Sequence, residues 1–174
     1  MKGFYILLSI LLLGVMFCQR SQTAPGKMQI VQQDEKIMLI GETPPDSLWE
    51  YFPEWKADFM LYEPDSANVS RGKNIERDLQ ILCYHGTWCH DSKIGVPGFV
   101  KFLESVANTR IKWQLIGLDR NLDEPGNSQK YWKISKVPTF IILENGREIG
   151  RMVETPKNTF EADFLEIVLE SEKR

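Results

Sequence analysis

Apolar and polar positions follow strand and helix periods most clearly in the second half of the chain. In chain order, the periods predict a buried strand over "LQILCYHG", a helix over Ser92–Asn108 that Pro97 kinks, a strand over "IKWQLIGLD", a short helix over Asn127–Ile134, a hairpin over "TFIILENGREIGRMVE" and an amphipathic helix over Phe160–Leu169. This order of elements is typical of an α/β layer.

The connections between these elements indicate how the strands are arranged. The first two strands are joined through a helix, so we expect them to run parallel. Asn145-Gly146 is the strongest two-residue signal for a hairpin turn, and it adds an antiparallel edge. The sequence therefore predicts a central mixed β-sheet flanked by helices.

Residues 25–74 carry weaker patterns. They begin with polar residues, prolines and glycines, which are typical of a tether, and include one predicted strand over Lys36–Ile40. Asp46 is placed to cap a short helix that runs through Phe52. The remainder mixes helix and turn signals. We predict an N-terminal tether and extension over this whole segment.

Residues 1–24 differ from the rest of the chain. Met1-Lys2 precedes an apolar run from Phe4 to Phe17, which at about 14 residues is shorter than the roughly 20 that a membrane span needs. A basic start, a short apolar run and then polar residues predict a secretory signal. Three outcomes stay open: cleavage near Ala24, acylation of Cys18 as a lipoprotein cysteine, or retention as an anchor.

Each of these outcomes places the remainder of the chain outside the cytoplasm, in the periplasm or cell envelope. Protein disulfides can exist in that compartment. The N-terminal signal or lipid anchor is then the predicted membrane contact.

Composition narrows the classes of function further. The chain has 43% apolar and 26% charged residues, which are ordinary values for a globular domain. A net charge of −3 and the absence of dense Lys/Arg runs give no nucleic-acid signal. With two His and three Cys in the sequence, we expect neither a metal site nor a bound cofactor.

The chemistry centres on the stretch "TWCHDS", in which Cys89 lies at a strand-to-helix junction. The free N–H groups and the dipole of a helix start favour the thiolate, which is the reactive form of cysteine. Trp88 would form a wall beside the sulfur. His90 would promote thiolate formation when protonated, and Asp91 would oppose it. Ser92 occupies the position at which a Cys-x-x-Cys motif has its second sulfur.

A second cysteine, Cys83, falls inside the predicted first strand and is expected to be a buried core thiol. A disulfide between Cys83 and Cys89 would need a tight reversal of the chain, for which the sequence offers only Gly86. We therefore expect both thiols to be free. His85, at the end of the same strand, is interpreted as structural.

Several pieces in a fixed order resemble the thioredoxin family, and in particular exported bacterial thioredoxin-like proteins. They are the strand "QILCY", the turn "TWCHDS", the helix containing Pro97, the strand ending at Asp119, "KVPTF", "ENGREIGRMVE" and the last helix. The resemblance covers about residues 75–171 and implies a thioredoxin-like domain over residues 75–174.

The resemblance also implies roles for individual residues. Cys89 would be the nucleophile and Pro138 a cis-proline beside it. The backbone of Val137 would pair with the extended chain of a bound substrate, with Trp88 as a further contact. The partners would be protein thiols and disulfides, together with small thiols such as glutathione.

Three departures from the family pattern bear on activity. Ser92 replaces the resolving cysteine, His90-Asp91 replaces the usual Gly-Pro, and Cys83 stands where the family typically buries an aspartate. These changes leave two functions open. One is monothiol reductase or isomerase chemistry through Cys89, with Ser92 able to donate a hydrogen bond to the thiolate. The other is a redox-inactive module that binds peptides, so enzymatic activity stays undecided by the sequence.

Overall fold

The computed structural model describes residues 24–33 and 35–173. In chain order its elements are β1 (Gln29–Gln33), β2 (Lys36–Glu42), α1 (Pro45–Tyr51), α2 (Pro53–Leu61), α3 (Ser66–Lys73), β3 (Leu79–His85), α4 (His90–Val106), β4 (Ile111–Gly117), α5 (Ser128–Tyr131), β5 (Thr139–Glu144), β6 (Arg147–Val153) and α6 (Phe160–Ser171). The predicted signal sequence and Cys18 lie outside the described residues. None of the helices described here has both the length and the apolar character needed to cross a membrane.

The strands form one mixed sheet in the order β1-β2-β4-β3-β5-β6. β3 and β4 run parallel, and the other neighbouring pairs run antiparallel. The turn between β5 and β6 places Asn145 at φ 50° and Gly146 at φ 74°, the left-handed values that a type I′ hairpin turn requires. The predicted mixed sheet with flanking helices is confirmed.

The central strand β3 is buried on both faces. Ile81 and Cys83 contribute to a core cluster shared with α4 and α6, while Leu82 and Tyr84 contribute to a second cluster on the opposite face. Successive side chains of a strand point to opposite faces, so this near-continuous apolar run serves both layers. β3, whose carboxyl end leads toward Cys89, is thereby packed on both faces of the sheet.

Residues 25–74 form a folded extension rather than a tether. β1 and β2 make a hairpin, and the three helices α1, α2 and α3 follow. Leu48, Trp55 and Phe59 belong to the same buried cluster as the core of β3 and α4. The sequence pattern is weak here because the helices are short and are separated by prolines, which leaves too few turns to establish a period.

Two helix starts differ from those predicted. α1 begins at Pro45, and Asp46 lies in its first turn instead of capping it. Proline suits a first helical position because its φ is already helical and the missing N–H would have no partner there. α4 begins at His90, two residues before Ser92, with Cys89 as its N-cap residue.

Candidate active site around Cys89

Cys89 lies between the end of β3 and the start of α4. Its backbone is extended, with φ −92° and ψ 128°, and its N–H donates to Gly86 O at 2.9 Å. The side chain is half-buried and packs against the second core cluster. The α4 N-terminus therefore starts directly at the sulfur-bearing residue, as the sequence predicts for a strand-to-helix junction.

The thiol faces the segment before β5. Cys89 Sγ donates to the carbonyl oxygen of Val137 at 3.3 Å. The peptide bond between Val137 and Pro138 is cis, and the Val137 side chain is only 5% exposed. Among the described residues, the backbone N–H of Val137 has no hydrogen-bond partner, so it is free to donate to an acceptor from another molecule.

Trp88 is fixed by three contacts. Its Nε1 donates to Leu118 O at 3.0 Å. A Cβ added at Gly86 would lie 2.7 Å from the indole, so only glycine leaves room for this ring. The guanidinium of Arg120 lies over the ring, 5.4 Å from its centroid, at a distance typical of a cation–π contact.

Ser92 is fully buried in the first turn of α4. Its Oγ accepts a hydrogen bond from the Gly86 N–H at 3.2 Å. In the part of the chain that the structure describes, Ser92 makes no hydrogen bond with Cys89. The hydroxyl therefore ties the helix start to the loop that carries Trp88.

His90 and Asp91 are both exposed in the first turn of α4. Neither side chain forms an ion pair with any residue that the structure describes. Both side chains therefore face solvent, and the hydrogen bond of the Cys89 sulfur goes to Val137 O and not to either of them.

Two side chains of β3, those of Cys83 and His85, are buried and isolated from the site. Cys83 is a free, buried thiol whose pKa is raised by burial, so it stays protonated and unreactive. His85 is fully buried, and desolvation lowers its pKa from 6.5 to about 4. Neither of its ring nitrogens has a hydrogen-bond partner among the described residues, and its ring meets Trp55 edge-on.

Among the described residues, the arrangement supports the chemistry of one accessible thiol, that of Cys89. Cys83 and Cys89 are both free. Within the described residues, no group of three His, Cys, Asp or Glu side chains is placed to hold a metal ion. Sequence reasoning missed Arg120, since an exposed arginine after a strand carries no pattern, and it missed the role of Gly86 in seating the indole.

Comparison with known proteins identifies the family. A family model described as Thioredoxin matches residues 45–164, more than half of the chain. The protein therefore belongs to the thioredoxin family, which confirms the resemblance drawn from the sequence.

Curated relatives agree with this assignment. Thioredoxin H9 of Arabidopsis thaliana is 30% identical over 95 residues, covering 53% of this chain and 64% of its own. Thioredoxin H2-2 of Oryza sativa subsp. japonica is 24% identical over 89 residues, covering 51% and 62% respectively. The chain thus spans less than two thirds of the length of these relatives.

Among solved structures, an engineered HIV epitope scaffold superposes with a TM-score of 0.51 at 17% identity, covering 68% of this chain and 82% of the scaffold. A thioredoxin h from Nicotiana alata matches at 19% identity with a TM-score of 0.39, covering 60% and 82%. At 17% identity the likeness to the epitope scaffold concerns the fold alone.

Proposed function

We propose that this protein carries out thiol–disulfide exchange through the single nucleophilic thiol of Cys89. The observation that carries the proposal is the placement of Cys89 as the N-cap residue of α4, half-exposed and in contact with the cis Val137–Pro138 segment. The N–H groups of a helix start stabilise a thiolate, and the thiolate is the attacking species in disulfide exchange.

The first step forms a mixed disulfide. The Cys89 thiolate attacks one sulfur of a substrate disulfide, a new S–S bond forms to Cys89, and the other substrate sulfur leaves as a thiolate. In a dithiol protein a second cysteine would then release the substrate. Cys83 cannot do so, because it is buried and protonated. Ser92 cannot do so either, because a hydroxyl is a poor nucleophile toward sulfur.

Release therefore requires a thiol from outside the protein. The substrate's own liberated thiol can attack the mixed disulfide, which gives isomerase-type reshuffling. A small thiol such as glutathione can do the same, and a second such thiol then frees Cys89, which gives net reduction of the substrate. Both routes regenerate the Cys89 thiolate. Reshuffling transfers no net electrons, whereas in the reduction route the two electrons come from two glutathione thiols, which end as glutathione disulfide.

Substrate contacts are available beside the sulfur. The N–H of Val137, unpaired among the described residues, can donate to a carbonyl oxygen of an extended substrate chain. Trp88 supplies an apolar wall whose orientation is fixed by its hydrogen bond to Leu118 O. This open backbone group also favours the second candidate function, a redox-inactive module that binds extended peptides at Trp88, Val137 and Pro138.

Export to the periplasm or cell envelope is part of the proposal. It is supported by the apolar run from Phe4 to Phe17, which follows a basic start, and by the polar residues after that run. Cell fractionation tests it, and full-length protein in the cytosolic fraction would contradict it. Labelled palmitate that is incorporated by the wild type and lost in Cys18→Ala would establish the lipoprotein form.

A disulfide-reduction assay with insulin separates the two functions. The wild type should reduce insulin only when glutathione is supplied, and Cys89→Ser should be inactive. Ser92→Cys should gain reduction with a thioredoxin reductase and NADPH as the electron source and no glutathione, because its new thiol lies one helical turn from Cys89 and can resolve the mixed disulfide. Ser92→Ala is the matched control, since it also loses the bond to Gly86 and adds no thiol.

The binding-module function predicts a different result. Glutathione would then give the wild type no activity above Cys89→Ser, and both proteins would bind an extended peptide equally well. Rapid insulin reduction by the wild type with a thioredoxin reductase and NADPH as the electron source, and no small thiol, would contradict both functions, since it would require a resolving group within the chain.

A further inference from the structure

The strand β1 has an open edge. It is the outermost strand on one side of the sheet, and within the described residues only β2 pairs with it. A two-residue turn joins Gln33 to its partner Lys36, so the residues bonded to β2 are Gln33, Val31 and Gln29. Ile30 and Gln32 therefore direct their N–H and C=O groups away from the sheet.

This edge lacks the features that usually prevent strands from pairing with other chains. Exposed edges are commonly protected by charged side chains, proline or a bulge. β6, at the opposite side, has charged residues along its length and a register shift opposite β5. β1 reads QIVQQ, with no charge and no proline. Ile30 is 49% exposed, and Ile37 on the same face of β2 is 39% exposed.

The edge is complementary to itself. In an antiparallel pair of two β1 strands centred on Val31, each Ile30 lies opposite Gln32 of the other copy, so the outward-facing backbone groups meet one another. Lys27 precedes β1 and Glu35 follows it, so this register brings the positively charged end of one strand toward the negatively charged end of the other. Both residues are exposed, and neither forms an ion pair with a described residue of its own chain.

We propose that the protein forms a homodimer in which β1 pairs antiparallel with β1 of a second copy, about a two-fold axis at Val31. The two six-stranded sheets then continue into one. We assign a second copy as the partner of the β1 edge for two reasons. The strand carries no charge that would repel an identical strand, and the flanking residues Lys27 and Glu35 have opposite charges, so each meets the other's sign across the axis. β2 and β4 separate β1 from β3, so the dimer leaves both Cys89 sites open.

Cysteine cross-linking of the full chain tests this arrangement. In a background of Cys18→Ser and Cys89→Ser, Val31→Cys places two thiols directly opposite each other, in a pair whose Cα atoms lie roughly 4.5 Å apart. Gln29→Cys is the matched control on the same strand. Its two copies would lie about 13 Å apart, which is too far for a disulfide. We expect Val31→Cys to form a cross-linked dimer under mild oxidation at least about tenfold faster than the control.

A charge exchange at the axis provides an independent measurement. Val31→Lys and Val31→Asp should each sediment as monomers, because like charges directly opposite destabilise a strand pair. Mixing the two variants should restore a heterodimer. Equal cross-linking of Val31→Cys and Gln29→Cys would overturn the proposal. So would a wild type that remains monomeric up to its solubility limit, which would leave the edge for an extended segment of another protein.

Discussion

The buried imidazole of His85 should make the protein sensitive to mild acid. His85 has no solvent exposure, and both of its ring nitrogens lack partners among the described residues. Burial disfavours the charged form and lowers its pKa from 6.5 to about 4. The unfolded chain, whose histidines keep the ordinary pKa, therefore takes up this proton first as the pH falls.

The size of the effect follows from the two pKa values. With 6.5 in the unfolded chain and about 4 in the folded protein, His85 contributes nothing to the pH dependence above pH 7. It then removes about 3 kcal/mol of the free energy of unfolding between pH 7 and pH 4. This is a large share of a typical domain's stability of about 5–15 kcal/mol.

Denaturant unfolding at a series of pH values measures this contribution. His85→Phe keeps an aromatic ring against Trp55 and removes the titrating group, so the variant should lose about 3 kcal/mol less than the wild type between pH 7 and pH 4. The chain contains two histidines, and His90→Gln is the matched control because His90 is exposed. Between pH 7 and pH 4, the free energy of unfolding of this control should fall by as much as that of the wild type.

A pH profile of His85→Phe that overlays the wild-type profile would refute the reasoning. So would a His90→Gln protein that loses the acid sensitivity, because the effect would then belong to the exposed histidine.

Three other predictions concern the site and its support. Iodoacetamide should alkylate Cys89 much faster than Cys83 in the folded protein, because burial both shields Cys83 and raises its pKa. Peptide mass spectrometry follows both rates, and equal rates would remove the basis for assigning Cys89 as the nucleophile. Gly86→Ala should displace the Trp88 ring, since an added Cβ would lie 2.7 Å from it. The fluorescence of Trp88 should therefore change, and an unchanged spectrum would contradict the close packing of the indole on Gly86. Glu124→Gln should lower the free energy of unfolding by about 2 kcal/mol or more, because the buried carboxylate accepts hydrogen bonds from three backbone N–H groups and a hydroxyl. Denaturant unfolding measures the loss, and a loss below about 0.5 kcal/mol would contradict the prediction.

The sequence predicts well what depends on local period and turn chemistry. The buried run of β3, the helix that follows Cys89 and the Asn145-Gly146 hairpin each carry a signal within a few residues. The order of these pieces was enough to recognise the family. The same logic places Cys89 at a helix start, because a strand that ends at glycine and a helix that follows leave little choice for the residue between them.

Features that depend on distant contacts are not predictable in this way. β1 gives no strand period, since its alternation is mostly glutamine. α2 contributes Trp55 and Phe59 to the core through packing against α4, a contact that no local pattern encodes. The hydrogen-bond partner of the Ser92 hydroxyl also depends on the tertiary structure. The sequence leaves its hydroxyl free to bind the thiolate, and the structure shows it accepting from the Gly86 N–H.

The lifetime of the mixed disulfide at Cys89 tests the central claim most directly. The wild type is mixed with a disulfide-containing peptide in the absence of other thiols, the leaving thiol is removed, and the intact protein mass is followed over time. The account predicts one peptide adduct on Cys89 that persists until glutathione is added and is then released. Absence of an adduct would contradict nucleophilic exchange, and spontaneous release without added thiol would contradict a mechanism that lacks a resolving group.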